Sequence, residues 1–76
     1  MALIQVTREQ LGTSATEQDQ QLFVGYVGVI LRRRGINPDY ATRKETQSAI
    51  DLLWNDGDWL AKAEQIDQEE SEVNGL

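Results

Sequence analysis

With 76 residues and a net charge of −6, the chain is long enough for one domain and too short for a large core. It holds no cysteine and no histidine, so disulfides, thiolate metal sites and the Ser-His-Asp and Cys-His catalytic arrangements are excluded. The charge is uneven: up to Asn55, Glu9, Glu17, Asp19, Asp39, Glu45 and Asp51 balance Arg8, Arg32, Arg33, Arg34, Arg43 and Lys44, whereas beyond it Asp56, Asp58, Glu64, Asp67, Glu69, Glu70 and Glu72 face Lys62 alone.

The first segment, Met1 to Val6, is apolar, short and without basic residues, and is expected not to be a secretory signal. Leu3 to Thr7 alternates loosely. Thr7-Arg8-Glu9-Gln10 has capping-box spacing, and Gly12 can end a turn. The expectation is an N-terminal arm over residues 1–13, extended and then closing in a single helical turn.

Ser14-Ala15-Thr16-Glu17 matches a capping box, with Glu17 and Asp19 in the following turn, where carboxylates suit the positive helix end. Arg32, Arg33 and Arg34 suit the negative end, and Gly35, Ile36 and Pro38 form a stop signal. The expected helix covers about 14–34, although the β-branched run and Gly25 and Gly28 disfavour it internally. Leu22, Phe23, Tyr26, Val27, Ile30 and Leu31 give it a wide apolar surface. That surface motivates an expectation of self-association as a homodimer through the glycine-bearing face. The run Leu22–Leu31 is too short to span a bilayer, which takes roughly 20 residues.

A second helix is expected over about 40–55, starting either at Asn37-Pro38 or at the capping box Thr42-Arg43-Lys44-Glu45. Thr46, Ala49, Ile50, Leu53 and Trp54 share its apolar face. Asn55-Asp56-Gly57-Asp58 then turns the chain into a third helix over about 58–68, which carries Trp59, Leu60, Ala63 and Ile66 inward. A β-hairpin through the same turn is the competing reading. Residues 69–76 carry little apolar surface and are expected to be a frayed acidic tail. The fold class is therefore all-α: a three-helix bundle over 14–68 with an arm and a tail. The Asn55–Asp58 stretch with its flanking helices resembles the last two helices of ubiquitin-associated domains, without the loop motif of that family's first helix, and no family is assigned on it.

Little here points to catalysis or to a cofactor. Carboxylate pairs such as Asp56 with Asp58 and Glu69 with Glu70 are common on solvated surfaces. If Gly57 were the sixth residue of a calcium loop, positions one and three would be Leu52 and Trp54, which are not ligands. Gly25-Tyr26-Val27-Gly28 lacks the lysine of a phosphate loop. Two features suit binding. Arg32, Arg33, Arg34, Arg43 and Lys44 are expected to share one end of the bundle as a docking patch for phosphate or acidic protein, unless they only complement helix ends. Trp54 and Trp59 flank a turn, and tryptophan is enriched in interface hot spots, although in so small a domain it is usually core. The expected function is a non-enzymatic, cytoplasmic protein–protein interaction module: adaptor, inhibitor or small assembly subunit. Nucleic-acid binding through the arginines is the alternative, opposed by the acidic C-terminal stretch, which repels phosphates and can fold back onto the patch. A further reading has that stretch imitate a phosphate backbone.

Overall fold

The N-terminal segment is a helix, not an arm. A computed structural model of the protein describes residues 2–12 and 15–74, and its first element, α1, runs over Ala2–Leu11. Leu3, Val6, Thr7 and Leu11 recur at helical intervals, with Val6 and Thr7 buried and Leu3 and Leu11 packed against the core. The Thr7 hydroxyl donates to the Leu3 carbonyl at 2.7 Å, so Thr7 lies inside a helix instead of capping a later turn. Gly12, at φ 75°, ends α1 with its amide on the Arg8 carbonyl.

Helix α2 spans Glu17–Arg33 and starts later than its expected box. Thr16 is the N-cap, its hydroxyl accepting from the Asp19 amide at 3.1 Å; Ser14 lies outside the described residues. Glu17 thereby becomes the first helical residue and leaves the box position. The other end matches the stop signal. The Ile36 amide reaches the Leu31 carbonyl and the Gly35 amide the Arg32 carbonyl, each at 3.0 Å, with Gly35 left-handed at φ 76°.

Helix α3 covers Arg43–Trp54 and opens on the Thr42/Glu45 capping box, both of whose bonds are present. The Asn37 start is not used: the Asn37 side chain accepts from the Asp39 amide and fixes the preceding turn instead. Asn55, Asp56 and Gly57 all have positive φ, and this left-handed turn leads into α4, Trp59–Asn74. Asparagine and aspartate are the non-glycine residues that tolerate this region best. The described residues contain no strand, so the hairpin reading falls.

α3 is the central element and touches α1, α2 and α4. The core joins Val6, Phe23, Val27, Ile30, Leu31, Ala49, Ile50, Leu53, Trp59, Ala63 and Ile66. Leu60, expected inward, is 58% exposed, because the buried stripe of α4 is Trp59, Ala63 and Ile66. α4 also continues past the expected end at 68. Glu69 and Glu70, assigned to a frayed tail, are helical and engage α2. Among the described residues the architecture is thus four α-helices, where three with an arm and a tail were expected. Among the described residues no helix is long and apolar enough to cross a membrane.

Candidate functional site

The arginine run lies where α2 ends, and helical geometry sends its members in different directions. Arg33 turns onto α4: its guanidinium donates to Glu70 at 2.9 Å and to Glu69 at 3.0 Å. The Glu69 bond is the main reason its ionisation is pushed still higher. Arg34 turns towards α3 and donates to the Ser48 hydroxyl at 3.0 Å. Arg32 is exposed on the outward side of α2. Across the turn, Arg43 is bonded to Glu9 of α1, while Lys44 is exposed on α3.

The five cations therefore do not form one open patch. Arg33 is matched by Glu69 and Glu70 of α4, and Arg43 by Glu9 of α1. What stays open is a basic edge on α3. Arg43, Lys44, Gln47, Ser48 and Asp51 line a shallow groove of about 600 Å³, and the Arg34–Ser48 bond draws Arg34 to its rim. Within it the Gln47 amide donates to Asp51, the one acid of the lining, at 2.9 Å. The edge offers charged donors to an anion at a solvated surface.

Trp59 belongs to the core and Trp54 packs against it. Phe23 meets Trp59 edge-on at 5.1 Å between ring centres and Trp54 at 6.3 Å. Trp59 is buried and Trp54 half-buried against the same cluster. Burial leaves little of the Trp59 ring at the surface, whereas part of Trp54 stays accessible.

Other surface features had weaker sequence signals. A groove of about 290 Å³ between α1 and α2 is lined by Ile4, Thr7, Arg8, Glu17, Gln20, Gln21 and Val24. The spacing of Leu3, Val6, Thr7 and Leu11 was the signal for the helix that forms its wall. The Tyr26 hydroxyl donates to Asp67 at 2.6 Å, a bond between residues far apart in sequence that no local pattern encodes. Among the described residues there is no cluster of three or more acidic side chains placed to hold a metal ion. Compared with known proteins, the chain matches no family model, no curated protein and no solved structure.

Proposed function

We propose that the protein is a non-enzymatic interaction module that docks an acidic segment of another protein along the basic edge of α3. The observation that supports this reading is the open groove beside Arg34, Arg43 and Lys44, whose Ser48 adds a hydroxyl. Carboxylate side chains suit such a surface, because the guanidinium of Arg34 and the ammonium of Lys44 both present charged donors. A long phosphate backbone suits it less: Arg33 and Arg43 already have acidic partners, and the C-terminal half of α4 adds negative charge next to the cluster.

The test compares a labelled oligo-glutamate peptide with a DNA duplex, each titrated at low and at physiological salt. The expected result is peptide binding that falls with salt and drops about tenfold or more in the variant Arg34→Gln/Lys44→Gln, with the fold intact. Tighter binding of the duplex puts nucleic-acid recognition in its place. Binding of the peptide that ignores the double variant rejects the edge as the site.

A further inference from the structure

The chain between α2 and α3 is a built turn that presents one aromatic ring to water. Ile36, Pro38 and Ala41 are half-buried, and Ile36 and Ala41 pack against the core. Pro38 lies against α2 where Gly28 is buried: a β-carbon on Gly28 would stand 3.8 Å from the proline ring. The Asn37 side chain accepts from the Asp39 amide, and the Asn37 carbonyl accepts from the Tyr40 amide, each at 3.0 Å. Tyr40 therefore rests on a fixed backbone. Its side chain is nevertheless 84% exposed, the most open of the large apolar side chains among the described residues. Tyr26 differs: it is half-buried and gives its hydroxyl to Asp67. With so little of its ring covered, Tyr40 adds almost nothing to the packing of the four helices.

Tyr40 also stands next to the basic edge. Arg43 and Lys44, which line the groove on α3, follow it by three and four residues. Three residues of chain reach at most about 10–11 Å, so a short extended peptide on the edge spans the distance to the ring.

We infer that Tyr40 is the apolar anchor of this docking surface, and that the segment bound along α3 carries an aromatic or aliphatic residue beside its acids. This rests on the basic edge being the docking site, and it names what the partner contains besides charge. Solvated charges alone hold an acidic segment weakly, because exposed ion pairs contribute little and salt screens them. A tyrosine ring offers apolar area with few torsions to fix, and the turn has already ordered its backbone. A partner side chain that covers the ring takes both from water, a gain that salt does not screen. Tyrosine and arginine are both enriched in interface hot spots, and here Tyr40 adjoins Arg43.

The test uses two labelled glutamate peptides of equal length and charge, one with a phenylalanine at its centre and the other with a serine. The parent is expected to bind the phenylalanine peptide about tenfold more tightly, with an advantage that survives physiological salt. Tyr40→Ser abolishes that advantage, leaves the serine peptide's affinity unchanged and retains the helical circular-dichroism spectrum, since the ring is exposed. Tyr40→Phe keeps the advantage. Binding of both peptides with equal affinity by the parent overturns the anchor while leaving the basic edge in place. An advantage that persists in Tyr40→Ser overturns it as well. If neither peptide binds, the edge itself is not a docking site, and the anchor falls with it.

Discussion

Thr46 and Thr7 are both fully buried, and only one of them has its hydroxyl satisfied. Thr7 donates to the Leu3 carbonyl, whereas the Thr46 hydroxyl has no hydrogen-bond partner among the described residues. A buried hydroxyl without a partner costs about 1–3 kcal/mol in lost hydration. Replacing it by a methyl group of similar size removes that cost and adds apolar contact. Thr46→Val is therefore expected to raise the free energy of unfolding by about 1 kcal/mol, and Thr7→Val to lower it by a similar amount. Urea melts of the two variants beside the parent measure both signs at once. Two shifts of the same sign would mean that the hydroxyls are not the deciding atoms. Leu53 and Ile50 beside Thr46 on α3 carry no polar group and are buried as their spacing predicts.

At the scale of elements, α4 is held to α2 by contacts that climb both helices together: Phe23 with Trp59, Tyr26 with Asp67, Arg33 with Glu70. The lower contact is apolar and the upper two are polar and exposed. The Asp67 bond, and after it burial and the charge of Asp67, hold the Tyr26 hydroxyl above its ordinary ionisation value of 10.0. The folded chain thus keeps a proton that the unfolded chain releases. The stability this contributes is complete below pH 10.0 and is lost as pH rises through the higher folded value. Melting temperatures measured from neutral pH upward should show the parent losing its margin over Tyr26→Phe above about pH 10. Parallel curves for the two proteins would show that the bond does not hold α4. The Arg33 pairs are exposed, and pairs of that kind are typically worth about 0–1 kcal/mol, so they place the end of α4 more than they stabilise the whole.

For the whole molecule, α1 decides the size of the core. It lies against α2 and α3, and its Val6 and Thr7 are buried there. A domain of this length has only about 3–5 kcal/mol from a single core. A chain that begins at Ala15 is therefore expected to lose its cooperative thermal transition, or to melt far below the parent, by far-UV circular dichroism. An unchanged midpoint would return the segment to the status of an arm.

Local chemistry determined much of this molecule. The Thr42/Glu45 box, the Gly35–Ile36 stop and the Asn55–Gly57 turn are satisfied by neighbours in the chain, so they could be read without knowing what packs where. The buried faces of α2 and α3 followed from spacing, because one helix side must leave water whichever partner covers it. Tertiary structure decided the rest. Leu3–Thr7 reads as strand or helix until α2 and α3 supply a surface on which Val6 and Thr7 can be buried together. The end of α4 looks too polar to order itself, and contacts from Arg33 and Tyr26 reach it from α2. The arginine run looks like one patch in sequence, but successive helical residues point about 100° apart, so Arg32, Arg33 and Arg34 face solvent, α4 and α3 respectively. Which acids reach them depends on contacts between residues distant in the chain, and those exist only once the four helices have packed.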